Sequence, residues 1–128
     1  MRTVLEPRSS GYVLVVDDDT KLADVMVRGL QRGGYECSVA GSGDQALWAV
    51  QGRRPDVIVL DVMIPHPSGI EVCRHLRQIG WDGFIIVVSA RGNAADVEAA
   101  TRAGADRFLA KPFAMAELVA TVDALVSR

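Results

Sequence analysis

Four short polar signals could act together in this sequence: the run Asp17-Asp18-Asp19, the lone Asp61, the hydroxyl of Ser89, and Lys111 followed by Pro112. Three adjacent aspartates resist being ionised together without a counter-charge. A hard divalent cation supplies that charge, and Mg2+ suits a site of one or two carboxylates, several waters and a phosphate. A carboxylate such as Asp61 can also act as a nucleophile and form an acyl-phosphate. Lys111 could then neutralise the added phosphoryl charge, and Ser89 could donate a hydrogen bond to a phosphoryl oxygen. Each signal alone has a plainer reading: Asp19 or Thr20 as a helix cap, Asp61 as a strand-end cap. Their shared position favours the chemical one.

Each signal directly follows an apolar run, over residues 12–16, 57–60, 84–88 and 108–110. Continuous apolar runs of this length mark strands covered on both faces. In a parallel α/β sheet the C-terminal strand ends open on one edge, so the four signals converge there. Residues 35–40 read as a further strand. Helical spacing predicts a helix over 21–32, with Leu22, Val25, Met26, Gly29 and Leu30 on one face and Gly33-Gly34 as its stop. Ser42 and Gln45 read as a capping box for a helix turning Ala46, Leu47 and Val50 inward. A third helix is expected over 70–79, with Val72, Leu76 and Ile79 on one face. A fourth, rich in alanine, spans 94–103, and strand five covers 107–110. The last helix follows Pro112 and repeats Met115, Leu118, Val119, Val122 and Leu125. This five-fold alternation means a doubly wound α/β fold on a parallel five-stranded sheet.

The 128 residues suffice for one domain and are too few for two. A net charge of -2 gives no global field favouring nucleic acid or an anionic membrane. No apolar run approaches membrane-spanning length. Cys37 and Cys73 belong to no CxxC pair or Cys/His cluster, so zinc is not expected and a reducing cytoplasm fits. Lys21 and Lys111 are the only lysines, which makes a lysine at an apolar strand end conspicuous. Residues 1–10 lack the apolar core of a secretory signal and read as a flexible tail before a domain over 11–128. Trp48 and Trp81 are expected to be partly buried, His66 and His75 to be surface or packing residues, and Arg53-Arg54 to be a solvated pair.

The stretches 13–19, 55–65, 86–91 and 104–113 together resemble the receiver domains of two-component response regulators, over about residues 11–126. The resemblance implies a flavodoxin-like (βα)5 sheet in the order 2-1-3-4-5. It implies Asp61 as phospho-acceptor, Asp18 as a direct Mg2+ ligand, Asp17 acting mainly through bound water, and the Met63 backbone carbonyl completing the metal shell. Ser89 would bond the phosphoryl group, Lys111 would pair with it through a cis Lys111-Pro112 bond, and Phe108 would be the aromatic switch. The implied partner is a sensor histidine kinase or a histidine phosphotransfer protein, and the implied output face is helix 4, strand 5 and helix 5. No nucleic-acid or membrane contact by this domain is expected.

Phosphorylation could also bring a homodimer. Arg107 and Thr121, however, stand where the winged-helix subfamily carries an acidic residue and an arginine for its dimer, so that dimer is not carried over. Apolar Met63 would not orient a hydrolytic water, so a phospho-form longer-lived than seconds is expected. Because the sequence stops at Arg128, just past the last helix, it leaves open a stand-alone receiver or one separated from an output domain.

Three other classes compete with this reading. A haloacid-dehalogenase-type phosphohydrolase would use Asp17 and Asp19 as nucleophile and acid/base, but Lys21 stands where that motif has Thr or Val. A flavin-binding module needs a phosphate loop that three aspartates would repel. A phosphorylation-independent interaction module is disfavoured because every acceptor-site position is filled.

Overall fold

A computed structural model describes residues 11–127; the expected N-terminal tail, residues 1–10, lies outside the described residues. Strands and helices alternate along the chain: β1 (Tyr12–Val16), α1 (Thr20–Arg32), β2 (Glu36–Ala40), α2 (Gly43–Gly52), β3 (Val57–Asp61), α3 (Gly69–Gln78), β4 (Phe84–Ser89), α4 (Ala94–Ala103), β5 (Arg107–Ala110) and α5 (Met115–Val126). The strands form one parallel sheet in the order β2-β1-β3-β4-β5. The expected flavodoxin-like topology is therefore the observed one.

The apolar strands divide their side chains between two layers, as period-two alternation requires. Leu14, Val16, Ile58, Leu60, Ile85 and Val87 face α2, α3 and α4. Val13, Val15, Val57, Val59, Ile86 and Val88 face α1 and α5, meeting Met26, Leu30, Leu118 and Val122. Register then aligns the strand ends. Val16 pairs with Leu60, so Asp17 and Asp61 stand one residue past the same rung. Asp61 pairs with Val88, and Ser89 with Ala110, which steps the edge outward to Lys111.

Several sequence expectations shift at the element ends. Asp61 and Ser89 are the last residues of their strands rather than the first after them. Tyr35 precedes β2 and is buried in the α1–α5 layer, with its hydroxyl donating to Asp123. Asp19 is the N-cap of α1, so the cap reading and membership of the acidic run hold together. Ser42 caps α2 by accepting from the Gln45 N–H, but the Gln45 side chain bonds the Gly41 N–H, one residue earlier than a capping box requires. The full box lies at α3, where Ser68 and Glu71 satisfy each other's backbone N–H.

Three apolar residues fall outside the expected burial. Val25 and Ile79 are about half exposed, at 48% and 47%, and Trp48 is 79% exposed on α2. Val25 lies one position off the stripe that Met26 and Leu30 fill, Trp48 lies on the face opposite Ala46 and Val50, and Ile79 is the C-cap of α3, past its last helical residue. Trp81 is buried more fully than expected, beneath the Arg77 guanidinium. Arg53 is not simply solvated: it forms a two-pronged pair with Glu36 and stacks on the Tyr12 ring.

Candidate phosphoryl-acceptor site at the sheet edge

The site is built from strand ends, so its side chains inherit the rigidity of the ladder. Asp17 and Asp61 are buried at the ends of β1 and β3, while Asp18 is exposed. Carboxylate oxygens of Asp17, Asp18 and Asp61 all lie within 4.8 Å of one another. Lys111 reaches between two of them, its Nζ standing 3.2 Å from Asp17 Oδ2 and 2.8 Å from Asp61 Oδ2. Three carboxylates against one ammonium leave two negative charges uncompensated, the charge of a single Mg2+. The donor set, all hard oxygens, fits that ion.

Backbone groups fix the aim of each carboxylate. The Asp19 N–H donates to Asp17 Oδ1 at 2.9 Å, and the Met63 N–H to Asp61 Oδ1 at 3.0 Å. Each carboxylate oxygen retains lone-pair capacity beyond these bonds. The Arg91 N–H donates to Ser89 Oγ at 3.0 Å, which leaves the Ser89 proton free to donate. A second tie runs through the main chain, where the Lys111 N–H donates to the Ser89 carbonyl at 2.7 Å. The Lys111–Pro112 bond is cis, as the resemblance implied.

Gly69 is a close-approach position. A Cβ there would collide with the Asp61 carbonyl oxygen and come within 2.8 Å of the Val62 Cα. Its absence lets the first turn of α3 sit against the end of β3, with the Gly69 N–H bonded to the Val62 carbonyl.

The electrostatics follow from burial. Desolvation pushes the Asp17 carboxyl above its ordinary value and the Asp61 charge adds to this, while the Asp19 N–H and Lys111 work against it. Desolvation opposes the Lys111 charge, but hydrogen bonds and attraction from Asp61 and Asp17 outweigh it and hold the ammonium above its usual value. The structure thus presents a lysine kept charged between buried carboxylates.

All the sequence-predicted side chains of the acceptor set therefore meet at one edge. Phe108 sits apart, half-buried on β5, with its Cε1 3.9 Å from where a Cβ on Gly92 would lie. It packs beside the loop that follows Ser89. Neither histidine belongs to the acidic cluster. Sequence reasoning missed Arg77, whose guanidinium donates to the Gly104, Trp81 and Gly83 carbonyls and pairs with Asp106. Its place on a helix face among other arginines carried no distinguishing signal. The two thiols are free, and burial raises both to about 11.

A sequence model of the response regulator receiver domain matches residues 13–123. The chain belongs to the response regulator receiver family. Relatives named response regulator MprA, from Mycobacterium avium and Mycobacterium leprae, are 45% identical over 116 residues, which cover 91% of this chain and 51% of those proteins. The chain thus spans about half the length of the curated relatives it matches. A receiver domain from a Francisella response regulator superposes with a TM-score of 0.89 at 33% identity, covering 92% of this chain and 98% of that one. A two-component response regulator of the LuxR family from Aurantimonas gives 0.86 at 29% identity, covering 93% and 86%. As a receiver domain, the chain is a module of two-component signalling and not an enzyme in the ordinary sense. Among the described residues, no helix of this receiver is long and apolar enough to cross a membrane.

Proposed function

We propose that this receiver accepts a phosphoryl group on Asp61 from the phosphohistidine of a sensor histidine kinase or a histidine phosphotransfer protein. The observation that carries the reading is Lys111 Nζ placed between Asp17 and Asp61. Asp17, Asp18, Asp61 and the Met63 carbonyl would hold Mg2+, with Asp18 as direct ligand and Asp17 acting mainly through water. When bound, the ion offsets the repulsion between two approaching anions.

The chain's own groups account for the rest. The Met63 N–H and Lys111 orient the Asp61 carboxylate, one oxygen of which attacks phosphorus as the donor's P–N bond breaks. The imidazole leaves, and Lys111 pairs with the charge transferred. The free Ser89 proton then donates to a phosphoryl oxygen. Transfer of this kind depends chiefly on positioning and electrostatics, and both are built into the strand ends.

The switch reading rests on two facts. Ser89 leads directly into the loop beside Phe108, and α4 buries only Ala100 and Ala103. Drawing Ser89 toward phosphate would free room for the Phe108 ring and bias the face of α4, β5 and α5 between two states. That face would address an output domain or partner, including a second copy of the chain. The working unit is residues 11–128, acting in the cytoplasm. With apolar Met63 beside the acceptor, the phospho-form should outlast seconds.

Intact mass after incubation with acetyl phosphate, with and without Mg2+, tests the reading on the wild type and Asp61→Asn. One Mg2+-dependent phosphoryl adduct, absent from the variant, is expected. An adduct that survives Asp61→Asn would overturn the acceptor assignment. No adduct on folded wild type would favour a phosphorylation-independent interaction module.

A further inference from the structure

The two halves of the site are joined by a piece of chain that contributes no side chain to it. At one end of the β2–α2 loop, the Ala40 carbonyl accepts from the Asp17 N–H at 3.0 Å. At the other, the Gly43 N–H donates to the Pro65 carbonyl at 3.1 Å. The loop therefore ties the acidic end of β1 to the segment after Asp61 that carries Met63. Its own shape is fixed from α2, because Gln45 Oε1 accepts from the Gly41 N–H at 2.8 Å and Ser42 Oγ from the Gln45 N–H. Gly43 is buried where the loop meets that segment. A Cβ on Gly43 would run into the Pro67 carbonyl oxygen and stand 2.8 Å from the Pro67 ring carbons.

We infer that the β2–α2 loop is a backbone brace for the cation site and that Gly43 is a positioning residue for it. The inference rests on the metal reading above. The brace sets the distance between the Asp17 side and the Met63 side, which a cation with near-fixed ligand distances must match. Gly43 opens a helix, so by propensity alone alanine there should be harmless or helpful. Any cost must come through the contact with Pro67, and it must appear in the segment that carries Met63.

The test is a Mg2+ titration followed by amide chemical shifts at Asp17–Asp19 and Val62–Met63, on wild type, Gly43→Ala and Val50→Ala. Val50 is a buried residue of the same helix that packs in the core, away from the loop, so its variant controls for stability alone. Gly43→Ala should weaken Mg2+ binding by about 10-fold or more, the range seen when groups orienting a metal ligand are lost, and Val50→Ala should not. Acetyl phosphate labelling of Gly43→Ala should regain the wild-type rate at saturating Mg2+. Wild-type affinity in Gly43→Ala, or equal weakening in Val50→Ala, would overturn the inference.

A second measurement needs no variant. Mg2+ should slow hydrogen exchange of the wild-type Gly43 amide, and an unchanged rate in a protein that demonstrably binds Mg2+ overturns the brace. A wild type that shows no Mg2+ response overturns the metal reading first and the brace with it.

Discussion

Helices α1 and α4 each follow a strand whose end carries a site residue, Asp17 just past β1 and Ser89 the last of β4, yet the fold treats them differently. α1 is capped by Asp19 and buries Ala23, Met26 and Leu30 along its length. It also presses on α5, where Met115 fills the space beside Gly29 and Val119 the space beside Gly33. α4 buries only Ala100 and Ala103, both in its C-terminal half. Fully burying a Met or Leu side chain contributes roughly 1.5–3 kcal/mol each, and alanine far less. The helix beside the acidic cluster is therefore seated in the core, while the one beyond Ser89 is held mainly at its far end. A domain with one firm and one loose helix can keep its acidic site rigid while it changes shape elsewhere.

The largest test of that contrast is Leu30→Ala. Leu30 is fully buried in the α1–α5 layer, and truncation there should cost about 3 kcal/mol in urea unfolding, within the usual range for large-to-small core changes. A loss under about 1 kcal/mol would mean that α1 is not the anchor.

Arg77→Ala addresses the anchored end of α4. The guanidinium satisfies three carbonyls, one of them Gly104 at the α4 C-cap, and also pairs with Asp106, whose carboxylate holds the Ile85 N–H. Removing it leaves those carbonyls unpaired, at a cost of about 2 kcal/mol. Hydrogen exchange should quicken at residues 103–106 more than at 94–97. Equal quickening along the helix would place its anchor somewhere other than Arg77.

What the sequence disclosed follows the same division. The four site signals were legible because strand ends in a parallel sheet leave little freedom, so Asp17, Asp61, Ser89 and Lys111 could be placed from apolar runs alone. The Asp17–Lys111 and Asp61–Lys111 pairs are that inference made geometric. Side chains bonding to distant backbone were not legible. Arg77 reaches carbonyls up to 27 residues away, and Gly43 matters through Pro67, which no local pattern signals. Trp48 was misplaced because an aromatic in an amphipathic helix reads as core until its neighbours are seen to fill the stripe.

Tyr35→Phe probes the link between the α1–β2 junction and α5, where the tyrosine hydroxyl donates to Asp123. Loss of one hydrogen bond to a charged acceptor should cost about 1.5 kcal/mol at neutral pH. Burial, foremost, and Asp123 raise the Tyr35 pKa well above its ordinary value of 10.0. Below that value the hydroxyl is protonated in both folded and unfolded chains, and the stabilisation is complete. As pH rises past 10.0, the unfolded chain releases the proton before the folded one, so stability declines. The Tyr35→Phe variant should show a shallower alkaline decline than the wild type; parallel declines would mean that Tyr35 is not the responsible group.

The smallest effect is the most discriminating for α4. Val97 lies half-buried in the N-terminal half of that helix. Truncating it to alanine removes two methylene-sized groups from a partly exposed position, a loss of roughly 0.5–1 kcal/mol. The same change replaces a β-branched residue with the best helix former, a gain of about 0.5 kcal/mol. The two should nearly cancel, leaving Val97→Ala within about 0.5 kcal/mol of wild type in urea unfolding, as for substitutions away from packed features. A loss above about 2 kcal/mol would require Val97 to be seated as firmly as Leu30. α4 would then be a core helix like α1, and the looseness on which the switch reading depends would have to lie in β5 or α5 instead.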